Sequence, residues 1–377
     1  MENKTASKPK YERIMEDLLV QILNKNFSYE TSLCTEKQLS EKYEVSRITA
    51  KRAITELEHR GILYRKRGVG SFVTRNALNN LSNDIEPKED SQMISLLLPF
   101  DITKGGLFDT VEVVNRSLNK NGYFMSIYTT DISLKKEKAN IKLLLSQKIS
   151  GLVYYPMRDK INLNLLNELV LTGVPVIIID KSTDCPYIHN VVSDNFEGGR
   201  LLTEHLLSLG HKNIGFLTTA PLEETSTVRN RFGGYLHQLQ AAGMVPNRQN
   251  LIYLPYEISE EELNQNEHFP LFNTLKQLHD YGITAIIAEN DTVASVIKIC
   301  CTQIGLRIPE DLSICGFDNT ILSQNADITT INQNFPLIGE HVSKILLESI
   351  ETPSAPIQKI TAPVELVIRS STGAPHP

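Results

Sequence analysis

Ser46-Arg47-Ile48-Thr49-Ala50-Lys51-Arg52-Ala53-Ile54 interleaves hydrogen-bond donors with small apolar residues. A helix built from it turns Ala50, Ala53, Ile54 and Leu57 inward and leaves Arg47, Thr49 and Lys51 on its outer face. Arg can bind guanine bidentately, and Thr can hydrogen-bond a base edge or a phosphate. Ser46 stands at the start, where a hydroxyl caps a helix and free backbone N–H groups can hold a phosphate. Lys37, near the start of the preceding helix, is placed to reach the backbone of the flanking strand. Downstream, Arg65-Lys66-Arg67-Gly68-Val69-Gly70 is a cationic turn. Arg67 suits a phosphate or a narrow minor groove, and Gly68 allows close backbone approach. Taken singly, these cations suit a solvated helix face and the glycines an ordinary turn. In this order they point to DNA.

A second set of polar residues follows short aliphatic runs: Phe100 and Asp101, Tyr155, Asp180 and Lys181, Asn290 and Asp291, Asp318 and Asn319. In two-lobed α/β proteins, ligands bind where strands end at their C-terminal edge. Carboxylates and amides gathered there suit a neutral polyhydroxylated ligand, binding paired hydroxyls while rings cover its C–H faces. Arg231, in Arg-Phe-Gly-Gly-Tyr at the expected start of a helix, adds a two-pronged donor. Each Asp alone is explained as well by a helix cap or turn, and Tyr155 equally by packing.

Catalytic signatures are missing from the chain. It has no P-loop, no H-E-x-x-H, no G-x-S-x-G and no Cys/His metal spacing. Gly68-x-Gly70 lacks the third glycine of a dinucleotide site. His205 and His211 read as structural. No enzyme activity, metal or cofactor is expected.

The elements that position these residues fall into two groups. Ile14, Leu18 and Ile22, spaced by four, mark a helix over Tyr11–Asn24. Thr35-Glu36-Lys37-Gln38 has the capping-box form and starts a second helix. The Ser46 helix ends near Arg60, with Gly61 as its stop. Ile62–Tyr64 and Ser71–Val73 then flank the cationic turn as a hairpin. Three helices and a hairpin make a winged helix-turn-helix. Beyond it, strand-like runs alternate with amphipathic stretches: Ile94–Leu98, Tyr123–Tyr128, Gly151–Tyr155, Val174–Ile179, Asn213–Leu217, Thr284–Ala288 and Leu312–Phe317, against Phe108–Lys120, Asn195–Leu209, Phe232–Ala242 and Asp291–Ile304. This alternation predicts a doubly wound α/β architecture, split into two lobes on account of its length. The expected domains are a winged helix-turn-helix over 1–75, a polar linker over 76–92, and a two-lobed effector-binding and dimerisation domain over 93–372.

Composition agrees with that division. Of 377 residues, 41% are apolar and 22% charged, an ordinary globular balance. The net charge of -6 is unevenly spread: residues 1–75 carry 15 Lys and Arg against 10 Asp and Glu, the rest 23 against 34. A basic head on an acidic body suits a nucleic-acid-binding module joined to something else. No apolar run approaches the ~20 residues that cross a bilayer, and the five cysteines form no disulfide framework. A cytoplasmic, reduced protein is expected, with no membrane partner.

Residues 10–74, above all TEKQLSEKYEVSRITAKRAITELEHRGILYRKRGVGSFV, resemble the winged-helix domain of GntR-family bacterial regulators. The resemblance implies DNA contacts at Lys37, Ser46, Arg47, Thr49, Lys51 and Gly68. The segments VPVIIIDK (174–181), VVSDNFEGGRLLTEHLLSLGHKNIGFL (191–217), RNRFGGYLHQLQAAGM (229–244), ITAIIAENDTVA (283–294) and GLRIPEDLSICGFDNT (305–320) resemble the LacI-type effector domain, related to periplasmic sugar-binding proteins. That likeness implies effector contacts at Asp180, Arg231, Asn290, Asp318 and, within Ile-Asn-Gln-Asn-Phe, Gln333. The loop after the first strand also contributes in that family, and Phe108 is the candidate there, although DITKGGLFDT departs from the usual pattern. A GntR-type head on a LacI-type body is similar to the arabinose-responsive repressors of Gram-positive bacteria, and Pro9-Lys10-Tyr11 fits that group, making Lys10 a phosphate contact. The implied protein is a homodimeric repressor of carbohydrate-use genes, released from operator DNA by a small sugar such as L-arabinose. The alternatives left open are an effector domain worked by a corepressor or protein partner, and an intracellular sugar-binding protein without regulatory function.

Overall fold

The computed structural model describes residues 9–23, 35–59, 61–66, 70–74, 92–102, 106–159, 161–255, 258 and 270–375. Arg67 and Gly68, and nearly all of the expected linker, lie outside them. The chain divides into two compact units, before and after residues 90–91.

The first unit has helices α1 (Lys10–Leu23), α2 (Glu36–Lys42) and α3 (Arg47–His59), then strands β1 (Leu63–Lys66) and β2 (Gly70–Val73). Its core takes the predicted positions Ile14, Leu18 and Ile22 from α1 and Ala50, Ala53, Ile54 and Leu57 from α3, with Leu39 between them. The Thr35 capping box forms in full. Gly61, at φ 69°, ends α3 in the left-handed conformation, and the Ile62 N–H reaches back to the Leu57 carbonyl. β1 and β2 pair antiparallel, Leu63 with Val73 through Lys66 with Gly70.

The second unit is two parallel sheets. In the first lobe the order is β13-β7-β6-β5-β3-β4: β3 (Met93–Leu98), β4 (Phe124–Thr129), β5 (Gly151–Tyr154), β6 (Val176–Ile179), β7 (His189–Ser193) and β13 (Lys359–Ala362). Helices α4 (Leu107–Lys120), α5 (Leu134–Ser146) and α6 (Leu163–Leu171) connect them, and α12 (Phe335–Glu351) packs on α4. The second lobe has the order β11-β10-β8-β9: β8 (Ile214–Thr218), β9 (Leu251–Tyr253), β10 (Ala285–Ala288) and β11 (Ser313–Cys315). Helices α7 (Asn195–Ser208), α8 (Ser226–Ala241), α9 (Leu271–Asp280), α10 (Asp291–Ile304) and the short α11 (Ile321–Asn325) belong to it. An antiparallel pair, β12 (Thr330–Asn332) with β14 (Glu365–Val367), lies beside β11. Central strands such as Val176–Ile179 and Ala285–Ala288 are buried throughout, as parallel strands covered on both faces must be. The chain passes between the lobes at Asp194, at Gln333–Asn334, and between β13 and β14.

The structure departs from the sequence expectations in two instructive places. The helix expected over Phe232–Ala242 begins at Ser226, so Arg231 lies in its second turn and not at its start. The strand β7, whose sequence His-Asn-Val-Val-Ser does not read as one, is held by side chains that only the fold supplies with partners. Asn190 donates to the Ile178 and Lys181 carbonyls, and His189 bonds Ser349 and the Gln358 N–H.

Candidate functional site

In the first unit, α2, α3 and the hairpin frame a groove of about 430 Å³ lined by Thr35, Lys37, Arg47, Lys66, Gly70 and Ser71, among others. Arg47 and Lys51 are exposed, and Lys37 makes a loose 4.0 Å contact with the exposed Glu41. Lys10 is exposed as the first residue of α1. Ser46 and Thr49 bond to each other and cap the helix: the Thr49 N–H donates to Ser46 Oγ at 3.2 Å, and the two hydroxyls sit 2.9 Å apart. Arg52, next to Lys51 on α3, stacks on the Tyr11 ring at 3.9 Å. Arg65 is held by Glu58 at 3.1 Å and Glu36 at 3.6 Å, which fixes the hairpin against α2 and α3. Ile48 is 81% exposed between the cations of α3. Its signal was legible, because it is out of phase with Ala50, Ala53 and Ile54.

In the second unit, the C-terminal ends of strands from both lobes surround a cavity of about 440 Å³. That volume lies within the range of small-molecule sites. Tyr155, Asp180, Arg231, Asn290, Asp318 and Gln333 all line it. Phe108 does not. It is 56% exposed on the outer face of α4, whereas its neighbour Leu107 and the earlier Phe100 turn inward to the cavity. Helical geometry explains the exchange, since adjacent helical residues point about 100° apart.

Arg231 is nearly buried and held on several sides. Its Nε donates to Asn195 Oδ1 at 2.8 Å, Nη1 donates to the Glu289 carbonyl, and Nη2 lies 3.5 Å from Asp318 Oδ1. The guanidinium stacks on Phe317 at 3.6 Å. Gln333 Nε2 donates to Asp318 as well. Burial pushes the Asp318 carboxyl up to about 8; Arg231 opposes that shift, while Asp291 and Asp180 add to it. Asp180 and Asp318 both take positive φ, 66° and 115°, uncommon for residues with a Cβ. Strain of this kind collects at binding sites. Asp180 pairs with Lys181 at 2.7 Å, and Lys181 also donates to Thr227 Oγ1 at 3.1 Å. Tyr155 meets Phe100 edge-on at 5.6 Å. Burial first, and the carboxylates Asp180 and Asp318 second, push its phenol well above the usual range, so it stays a neutral donor. Asn290 caps α10, its Oδ1 accepting from the Val293 N–H at 2.9 Å, which is the role a residue at a strand-to-helix turn takes most often.

Sequence reasoning stepped past Glu289. It is buried, lines the cavity, and accepts from the Thr218 and Thr219 hydroxyls at 2.6 and 2.5 Å. Its position directly after β10 was the available signal. Thr219 and Thr227, which also line the cavity, carried none. Asp291 faces inward to the fold, accepting from Thr320 and Thr330, and is structural. His211 bridges Thr284 and the Gly373 carbonyl, and burial lowers its pKa, so it is a neutral strut. Among the described residues no group of three metal-ligating side chains converges, and no helix is long and apolar enough to cross a membrane.

Residues 10–73 match the family of bacterial regulatory proteins of the gntR type, and residues 203–372 match the periplasmic binding protein-like domain. The HTH-type transcriptional regulator DegA of Bacillus subtilis is 30% identical over 288 residues, 75% of this chain and 81% of that protein. The chain belongs to the GntR/LacI-type transcriptional regulators. This regulator is also 28% identical to the arabinose metabolism transcriptional repressor of Geobacillus stearothermophilus over 385 residues, 99% of each chain. Its body superposes with a TM-score of 0.64 on a LacI family regulator from Enterococcus faecium crystallised with bound ribose, at 26% identity, covering 75% of this chain and 99% of that one. The regulator is a DNA-binding transcriptional repressor and not an enzyme.

Proposed function

We propose that the regulator represses carbohydrate-utilisation genes and releases its operator when a small, uncharged sugar, with L-arabinose the leading candidate, enters the cavity of the second unit. The observation that carries this reading is the charge arrangement of the cavity. Its charged lining residues are Asp180, Glu289 and Asp318 against Lys181 and Arg231, and both cations are already paired with carboxylates. Among the described residues, no cation of that lining is left over for a phosphate or carboxylate ligand. Carboxylates, amides and hydroxyls beside Phe100 and Tyr155 suit hydroxyl pairs and C–H faces. The full-length likeness to arabinose metabolism repressors supports the sugar class.

On the DNA side, Arg47, Thr49 and Lys51 read the major groove, with Lys37 and Ser46 on the backbone; the exposed Ile48 suits a thymine methyl. Lys10 and the turn residues Arg67 and Gly68 complete the expected contacts. Two copies bind half-sites of a near-palindrome as a homodimer. Effector binding favours one lobe arrangement and shifts the population away from the DNA-binding state.

A thermal-shift panel of pentoses, hexoses and their phosphates tests the reading. At 100 times its dissociation constant, the effector adds about 2.7 kcal/mol of stability. One neutral sugar stands out if the reading holds. A response confined to phosphosugars, or a flat panel, removes it in favour of a corepressor or protein partner.

A further inference from the structure

Both lobes are stitched together at one rim of the cavity by residues that do not line it. The segment after β5, in the first lobe, carries Arg158 and Asp159. The start of α8 and the turn before it, in the second lobe, carry Glu224, Ser226 and Arg229. Across the gap the Asp159 N–H donates to the Glu224 carbonyl at 2.9 Å. Asp159 Oδ1 accepts from the Ser226 N–H at 2.8 Å, and Oδ2 pairs with Arg229 Nη2 at 3.0 Å. Arg158 pairs with Glu224 beside them. From a neighbouring loop of the first lobe, the Ser182 N–H donates to Ser226 Oγ at 3.0 Å.

The first turn of α8 explains the arrangement. A helix leaves its first N–H groups without intrahelical partners, and a side chain at the cap normally satisfies one. Thr225 occupies that position and makes no capping bond. The carboxylate of Asp159 does the job from the other lobe, with the favourable charge for a helix N-terminus. Neither Asp159 nor Arg229 lines the cavity, whereas their neighbours Met157, Thr225, Thr227 and Val228 do.

We propose that Asp159 and Arg229 form a latch between the lobes, positioning residues whose closure assembles the effector site. This rests on the cavity being the effector site. Capping of α8 and closure of the cleft are then a single equilibrium: separating the lobes uncaps the helix that carries Thr227 and Arg231. The affinity of a ligand that needs the closed form is reduced to the fraction of time the latch is closed.

Hydrogen exchange on the full-length chain, free of sugar, tests the latch. In Asp159→Ala the amides of Ser226 and Thr227 exchange about tenfold faster. So does the amide of Ser182, which Asp159 does not touch. Asp159→Asn, which can still cap but cannot pair with Arg229 as an ion, falls between, and Arg229→Ala resembles it. L-Arabinose titrated into the same proteins binds Asp159→Ala about three- to tenfold more weakly. Faster exchange confined to Ser226, with Ser182 unchanged, reduces Asp159 to a local cap and overturns the latch. Unchanged arabinose affinity in Asp159→Ala overturns it equally. Wild-type protein that binds no sugar defeats the sugar reading, while the exchange of Ser182 still decides the latch.

Discussion

Arg231 gathers a side-chain amide, a backbone carbonyl, a carboxylate and a ring around one guanidinium, and the partners come from three segments, Asn195, Glu289 and Phe317-Asp318. That geometry makes the residue a rigid donor on the cavity wall. Arg231→Ala is expected to weaken effector binding by about 2 kcal/mol or more, roughly thirtyfold, because the cavity wall loses a buried, rigidly held donor and leaves the Asn195 and Glu289 acceptors unmatched. Operator binding should persist in that variant, leaving a repressor that no longer responds; calorimetry and a gel-shift titration read the two halves separately. Asp318 itself makes a pH prediction. Its carboxyl ordinarily titrates at 3.8 and here at about 8, so between those values the folded chain holds a proton that the unfolded chain has released. Raising the pH through that window therefore favours unfolding. Melting temperatures from pH 5 to 9 should fall in the wild type relative to Asp318→Asn, and parallel curves would contradict the assignment.

Helices α7 and α8 approach so closely that only glycine fits at their crossing. A Cβ on Gly199 would stand 1.9 Å from the Arg231 carbonyl oxygen, and one on Gly234 would stand 2.0 Å from that of Phe196. Both obstacles are backbone, which cannot rotate away. Both glycines of Phe-Glu-Gly-Gly-Arg lie inside α7: Gly199 serves this crossing, whereas a Cβ on Gly198 would meet the Phe317 ring at 2.5 Å. Asn195, at the start of α7, is also the residue that holds Arg231 Nε. Gly199→Ala is expected to cost about 1–3 kcal/mol by overpacking. It should also weaken effector binding, since the two helices must separate where Arg231 is anchored. Thermal melts and calorimetry on the purified variant measure both, and a variant with wild-type stability would show that the crossing relaxes freely.

At the scale of the molecule, the two units divide the labour by charge. The segment 1–75 carries a net positive charge, and the acidic remainder houses the cavity. Arg47→Ala is expected to lose operator discrimination while its sugar response stays at the wild-type level. Operator binding by the wild type should fall steeply with salt, by counterion release from each phosphate contacted. Discrimination between operator and random DNA that survives Arg47→Ala would displace α3 as the reading helix. Sedimentation with operator present tests the expected dimer.

By itself the sequence determined the head almost completely. The four-residue spacing of Ile14, Leu18 and Ile22, the Thr35 capping box and Gly61 are local signals, and a small helical unit is stabilised within reach of them. It also determined the two-lobed α/β class, and every expected effector residue but Phe108 lines the cavity, because a pocket at strand ends follows from topology. Tertiary structure decided what depends on partners distant in the chain. It placed Glu289, Thr219 and Thr227 in the cavity and turned Phe108 out of it. It also started α8 at Ser226, where the capping carboxylate arrives from residue 159 in the other lobe. A window of sequence holds the helix's own residues; it does not hold the group that satisfies its first N–H.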